Sequence, residues 1–178
     1  MCLSEAKGMD IKMQYITHYE SPLGSILLAA DDLGLTGLWF EGQKYFARGL
    51  GSDHEERETG VLKSAKQWLD AYFSGKRPQI QVPLHFNGTP FQNQVWEILC
   101  QIPYGQTTTY GAIAKLVAEK NGLAHMSPQA VGGAVGHNKI SIIVPCHRVI
   151  GSQGSLTGYA GGIDRKIKLL TLEGIVLP

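Results

Sequence analysis

The hydrophobic period of this chain changes near residue 85, from short strand-like runs to longer helical ones. Before that point, residues 13–19, 25–30 and 35–40 are apolar-rich and of strand length, separated by Ser21-Pro22-Leu23-Gly24 and Asp31-Asp32-Leu33-Gly34. Turn chemistry at that spacing predicts antiparallel hairpins. Residues 42–59 are polar without a clear period and read as loop or weak helix. Val61, Ala65, Trp68, Leu69, Tyr72 and Phe73 recur at helical spacing until Gly75 and Pro78, so an amphipathic helix should cover one face of the sheet. Residues 80–84 offer a last strand, and residues 85–88 read as a linker.

Beyond the linker the spacing is that of helices. Thr89 and Pro90 open one in which Phe91, Val95, Ile98, Leu99 and Ile102 form the buried stripe. Cys100 lies beside that stripe and reads as a small hydrophobe at the core edge. Thr109 caps a second helix over residues 110–120, with Ile113, Leu116 and Val117 inward; Ser127 and Pro128 start a third that runs to about His137. The last two suggest a helix-turn-helix, although the connector of residues 121–126 is longer than usual. The fold class is therefore α/β in the α+β sense, with a sheet-plus-helix domain over residues 1–85 and a mostly helical domain over 86–178. A chain of 178 residues is long enough for two such cores.

Two stretches carry more than packing. In the third helix Ala130, Gly132, Gly133, Ala134 and Gly136 leave almost no side chain. Each interior glycine costs about 1 kcal/mol relative to alanine, so something must approach that backbone closely, whether a neighbouring helix or a ligand. Residues 140–144 form a β-branched apolar run, expected as a strand buried on both faces, and it delivers Pro145, Cys146 and His147. The proline stiffens the exit. Adjacent side chains on extended backbone point apart, so Cys146 would reach His147 through a water or a local bend, and the imidazole should draw the thiol pKa towards neutrality.

Near the C-terminus Ile163, Ile167 and Leu170 mark the buried face of a last helix, and Glu173 falls on that face. A carboxylate there meets both desolvation and the negative end of the helix dipole, so it needs a donor or a frayed, solvated turn. His147 is the available donor, and a Glu-His pair would fix the tautomer and favour the imidazolium. Arg148 reads as a structural ion-pair or hydrogen-bond donor.

The cysteines at 2, 100 and 146 are odd in number and lack CxxC spacing, so neither a disulfide framework nor a thiolate zinc site is indicated. Cys2, His18, His54 and His85 show no ligand spacing, so no metal is expected. No apolar stretch has membrane length, and residues 1–11 are polar, are expected to be loosely ordered and lack a secretory core, so a reducing, cytoplasmic location is expected. Residues 1–85 carry nine Lys/Arg against eleven Asp/Glu, and residues 86–178 seven against four, a modestly basic second half that suits phosphate.

Pro145-Cys146-His147-Arg148-Val149-Ile150, preceded by Asn138 and followed by Gly158-Tyr159-Ala160-Gly161-Gly162 and Leu172-Glu173-Gly174, resembles the O6-alkylguanine-DNA alkyltransferases, the methylated-DNA-protein-cysteine methyltransferase family. The likeness spans about residues 88–178. It implies an RNase H-like antiparallel sheet followed by a winged-helix-like domain with a helix-turn-helix. It also implies direct-reversal DNA repair, with irreversible, stoichiometric transfer of a methyl or larger alkyl group from O6-alkylguanine, and from O4-methylthymine, to Cys146. No cofactor is implied.

The resemblance assigns catalysis to Cys146, His147, Glu173, Asn138 as a hinge brace, and Tyr110 as donor to the leaving base. It places Val149, Tyr159 and Ala160 around that base, with residues 154–162 as a mobile wall or ordinary turns. The partner is double-stranded DNA, entered through the minor groove by a monomer that flips the base, with contacts from Ser127, Gln129, Ala130, Gly133 and Ser152. Tyr110 read from the residues alone has a core aromatic at a helix start as its minority reading. Gln129 stands where the family has an intercalating arginine, and Ala160 where some members have a serine. A lesion binder without transfer is the alternative, though such proteins lack the acceptor cysteine. A Cys-His-Glu thiol hydrolase would need an oxyanion hole that is not recognisable.

Overall fold

The computed structural model describes residues 12–178; the segment expected to be loosely ordered, and Cys2 with it, lies outside the described residues. Strands β1 (Gln14–Ser21), β2 (Gly24–Ala30) and β3 (Leu35–Phe40) form the expected antiparallel hairpins. A fourth, β4 (His54–Glu56), pairs parallel to β1 and gives the order β3-β2-β1-β4. The sheet is thus mixed at one edge, and part of the stretch read as loop or weak helix is strand. Residues 26–30 are all buried because both faces are covered. Ile26, Leu28 and Ala30 face the main core, whereas Leu27 and Ala29, with Trp39, pack against Ile16, Ala47 and Leu50.

Helix α1 (Gly60–Phe73) starts at Thr59, whose hydroxyl accepts from the Leu62 amide, and buries Leu62, Ala65, Leu69 and Tyr72. Val61, Trp68 and Phe73, expected on that face, are only half-buried, so the helix is turned towards Leu62. Residues 80–84 do not form a strand. Leu84 makes a single bridge to Leu35, since Pro78 and Pro83 withhold two of the amides a ladder needs.

In the second half, α2 (Pro90–Leu99) opens with a reciprocal cap between Thr89 and Gln92 and buries Val95, Trp96 and Leu99. Helix α3 (Tyr110–Lys120) buries Ile113, Ala114, Val117 and Ala118, while Leu116, expected inward, is 50% exposed. Helix α4 (Pro128–Gly136) packs against both, and the Trp96 indole N–H donates to the Ala134 carbonyl at 2.8 Å. Cys100 caps α2 in an exposed position, not at the core edge. Helix α5 (Ile163–Leu172) buries Lys166, Leu169 and Leu170; Ile163 is exposed and Ile167 half-buried, so the expected stripe is displaced. One buried cluster runs without a break from Ile26 and Leu38 through Tyr72 and Trp96 to Leu169. Among the described residues no helix is long and apolar enough to cross a membrane.

The run at residues 140–144 departs most from expectation. Only Ile140 pairs, as a bridge to Leu38, and the backbone then turns, with Ile142 in left-handed geometry at φ 68°. The Asn138 side chain explains the turn: its amide donates to the Ile140 and Val144 carbonyls, and its oxygen accepts from the Ile140 amide. Those groups are therefore satisfied without a partner strand. Leu38 also donates to the Lys139 carbonyl and accepts from Ser141, so this segment covers the edge of β3.

Replacing Trp96 by phenylalanine keeps an aromatic in the core but removes the donor to Ala134. The expected loss is about 1–3 kcal/mol in urea unfolding, from a contact that ties α2 to α4.

Candidate active site

Cys146–Arg148 form one turn of 3-10 helix rather than the end of a strand, entered from Pro145 at φ −81° and ψ 63°. The turn sits between Asn138 and α5, with Ile142 close by in a conformation that costs a β-branched residue roughly 1–2 kcal/mol. It aims three successive side chains inward: Cys146 is 6% exposed, His147 0% and Arg148 7%. Cys146 and His147 make no direct hydrogen bond, as expected, though for a helical rather than an extended reason.

His147 and Arg148 point towards a region organised by Glu173, the C-cap of α5, which is buried as a carboxylate, whereas Cys146 faces a cleft. Its Oε1 accepts from His147 Nε2 at 2.6 Å, from Arg148 Nη2 at 3.0 Å and from the Tyr72 hydroxyl at 2.7 Å. Oε2 accepts from Arg148 Nε at 2.8 Å and from the Gly105 amide at 3.1 Å. Gly105 fits there as glycine because its φ is 78° and an added Cβ would crowd the Glu173 carbonyl at 3.3 Å. Arg148 is further fixed by donating to the Ile102 carbonyl at 2.7 Å. Burial alone would raise the carboxyl pKa, but the hydrogen bonds and charges of His147 and Arg148 hold it down at about 2.

Since Glu173 stays ionised, His147 Nε2 must carry the proton it donates, which leaves Nδ1 as the lone pair. That Nδ1 is buried and has no hydrogen-bond partner in the protein. Burial lowers the His147 pKa, and the neighbouring Arg148 and Lys166 charges add to this, outweighing Glu173. Glu173 favours the imidazolium as expected, but burial and the two cations set the net direction downward, towards the neutral base. The expected drop in the Cys146 pKa is overturned, because burial raises it against the pull of Asn138, the Lys166 ammonium and backbone amides. At rest the pair is thiol and neutral imidazole.

Cys146 lines a cleft of about 350 Å³ together with Tyr110, Gly158, Tyr159 and Ala160 on one side and Gly132, Gly133, Val135, Gly136 and His137 on the other. Lys44 and Tyr45, from the sheet half, complete its rim. The Tyr110 hydroxyl donates to the Thr157 carbonyl at 3.0 Å, and burial raises its pKa. The Tyr159 hydroxyl is buried without a partner. Val149 is fully buried and does not line the cleft, contrary to expectation. Its carbonyl instead accepts from Lys166 Nζ at 2.6 Å, and the same ammonium donates to Gly158 at 3.2 Å, tying cleft wall to core. A larger groove of about 710 Å³, between Ile98 and Lys120, contains no cysteine or histidine and shares no residue with this cleft.

Of the expected nucleic-acid contacts only Gly133 lines the Cys146 cleft; the others lie outside it. Ser127 caps α4 by accepting from the Ala130 amide and donates to the Gln129 side chain at 3.1 Å. Gln129, Ala130 and Gly133 are exposed on α4, and Ser152 is exposed on the turn Ser152–Gly154. A Cβ at Gly133 or Gly136 would meet nothing within 4 Å, and one at Gly132 would rest on the Tyr110 ring at 3.7 Å. No neighbouring helix requires these glycines. Among the described residues no group of three or more His, Cys, Asp or Glu could hold a metal ion.

Lys44, Tyr45, Tyr72 and Lys166 are the site residues that sequence reasoning missed. Tyr72 and Lys166 fit helical stripes, and Lys44 and Tyr45 sit in a stretch without period. Only Lys166 carried a signal, a charge within one turn of Ile163 and Leu170.

Family models for 6-O-methylguanine DNA methyltransferase match this chain twice, the ribonuclease-like domain over residues 14–86 and the DNA binding domain over residues 90–175. A methylated-DNA--protein-cysteine methyltransferase of Methanosarcina acetivorans is 46% identical over 160 residues, covering 90% of this chain and 98% of that protein. One from Mycobacterium tuberculosis is 45% identical over 159 residues, covering 88% and 92%. The crystal structure of Mycobacterium tuberculosis OGT in complex with DNA superposes with a TM-score of 0.75 at 42% identity, covering 90% of this chain and 92% of that one.

The ion cluster fixes the direction of acid sensitivity. Glu173 has a folded pKa of about 2 against an ordinary value of 4.5, so its stabilisation is complete above pH 4.5 and is lost as pH falls towards 2. Glu173→Gln should flatten that part of an acid-denaturation curve. At neutral pH it should cost about 3–5 kcal/mol, because Arg148 is left buried without its anion.

Proposed function

The chain belongs to the 6-O-methylguanine DNA methyltransferase family, whose activity is DNA repair by alkyl transfer to a cysteine, and we propose that Cys146 is the acceptor in this chain. The observation that carries the assignment is the cleft itself: Cys146 opens onto it beside a neutral imidazole whose outer nitrogen is taken by Glu173. Cys100, the other described cysteine, is exposed at the end of α2 with no such neighbour.

The reaction follows from the protonation states. An alkylated guanine, flipped out of the duplex, enters between the glycine face of α4 and the wall formed by Tyr159 and Ala160. The Cys146 proton passes to His147 Nδ1 through a bridging water, and Glu173 stabilises the imidazolium that forms. The thiolate attacks the alkyl carbon, the carbon–oxygen bond breaks as the carbon–sulfur bond forms, and the electron pair moves into the guanine ring. Tyr110 gives up its bond to Thr157 and supplies a hydrogen bond or proton to the departing base. The proton held on His147 restores the balance. A thioether is a poor leaving group, so each molecule reacts once.

The small residues of α4 support entry through the minor groove, which is about 6 Å wide and would be blocked by bulk at Gly133. Gln129 fills the gap left by the flipped base with an uncharged amide, so flipping here depends less on stacking by a cation. The proposal extends to the O4-methyl group of thymine, which presents the same kind of alkyl carbon on an enol-type oxygen. An acceptor that works only as a reduced thiol fits a reducing, cytoplasmic compartment. The protein acts as a monomer, since one chain supplies every group in the relay.

Incubation with an oligonucleotide containing O6-methylguanine should place one methyl group on Cys146 by peptide mass spectrometry. Cys146→Ala should bind the same DNA without being modified. Binding without modification by the natural chain would instead support a lesion binder, and repeated turnover of an ester or amide would support a thiol hydrolase.

Gly133 separates folding from DNA binding. Gly133→Ala should leave stability unchanged or raise it by up to about 1 kcal/mol, whereas Gly133→Leu should remain folded and lose at least roughly tenfold in DNA affinity, about 1.4 kcal/mol.

A further inference from the structure

Tyr72 belongs to the last turn of α1, in the sheet half of the molecule, 101 positions before the carboxylate it touches. Its ring is fully buried and held on several sides: stacked with Trp68 at 5.2 Å, and edge-on to Phe73, Tyr104 and His147. That packing leaves the hydroxyl one direction, towards Glu173 Oε1 at 2.7 Å, with His147 Nε2 3.5 Å away. A ring required only for packing would be served by phenylalanine, which carries no polar atom to bury.

From this geometry we infer that Tyr72 is a positioning residue of the proton relay: its hydroxyl occupies part of Glu173 Oε1 and so limits how strongly that oxygen can hold the proton of His147. The inference rests on His147 being the base that serves Cys146. Three donors, the phenol, the imidazole and Arg148 Nη2, share one oxygen, and Tyr72→Phe withdraws only the first. The stronger the phenol's claim, the less the carboxylate favours an imidazolium, and the more readily His147 returns to the neutral form that accepts a proton. Burial and the Glu173 charge push the tyrosine's own acidity well above its usual range, so the hydroxyl stays a donor wherever the protein is folded. The other groups facing the imidazole are Arg148 and Cys146 from its own turn and Lys166 from α5. Arg148 Nη2 also draws on Oε1, at 3.0 Å, and with Lys166 disfavours the imidazolium by repulsion, and Tyr72→Phe leaves both of these influences in place. The sheet half thereby contributes a functional atom to chemistry otherwise confined to the helical half.

The test reads the imidazole directly. The full-length protein, labelled with nitrogen-15 in its histidine rings, is titrated by NMR as the natural chain and as Tyr72→Phe. Losing one neutral hydrogen bond to the carboxylate should move the His147 midpoint upward by roughly half to one pH unit. The acid limb of single-turnover methyl transfer should move by the same amount, with DNA affinity unchanged. Trp68→Phe, which disturbs the same packing but keeps the hydroxyl, should leave the midpoint in place.

Should Tyr72→Phe fail to fold, difluorotyrosine incorporated at position 72 strengthens the donor and should move the midpoint downward. A midpoint unmoved by either change, or moved equally by Trp68→Phe, overturns the inference. The titration needs no DNA, so it decides the role of Tyr72 even if Cys146 proves not to accept an alkyl group, which would overturn only the functional reading.

Discussion

A single buried carboxylate organises this molecule. Glu173 gathers donors from the end of α1, from the turn after α2 and from both residues that follow Cys146. Any one of those contacts could be lost from a solvent-facing group at small cost. In a site with no exposed side-chain surface the carboxylate must be fully satisfied, so each partner constrains the others. The requirement joins the two halves of the chain as firmly as the shared apolar core does, and more directionally.

The chemistry follows from that anion. A glutamate that never takes up a proton in the neutral range settles which imidazole nitrogen is protonated, and burial then keeps the imidazole neutral. Burial likewise favours the protonated thiol at rest. A protein that can react once gains from such latency, because a free thiolate would be spent on any electrophile or oxidant that reached it. In the proposed reaction activation comes with the substrate, which supplies the electrophilic carbon that the thiolate captures. Strain at Ile142 and the bracing by Asn138 belong to the same device, since a turn held by side-chain hydrogen bonds keeps its cysteine in place.

Much of this was legible in the amino-acid sequence. The hairpins, the capped helices, the pairing of Glu173 with His147 and the openness of the α4 glycines follow from spacing and capping chemistry. The errors have physical causes. Residues 140–144 read as a strand because apolar, β-branched composition reports burial and not pairing, and Asn138 diverts the backbone into a turn. The stripes of α3 and α5 are displaced because hydrophobicity points to Leu116 and Ile163, whereas tertiary packing encloses Ala114, Ala118 and Lys166. The direction of the Cys146 and His147 shifts was missed because proximity to charge is visible in sequence and depth of burial is not. The contributions of Tyr72, Lys44 and Tyr45 depend on contacts between distant segments, for which local periodicity carries no signal.

The claim underlying this account is a distribution of protons, and neutron diffraction from the deuterated protein at neutral pH would locate them. The account requires deuterium on His147 Nε2, on the Tyr72 hydroxyl and on the Cys146 sulfur, with His147 Nδ1 and both Glu173 oxygens bare. Deuterium on Nδ1 or on the carboxylate would contradict it.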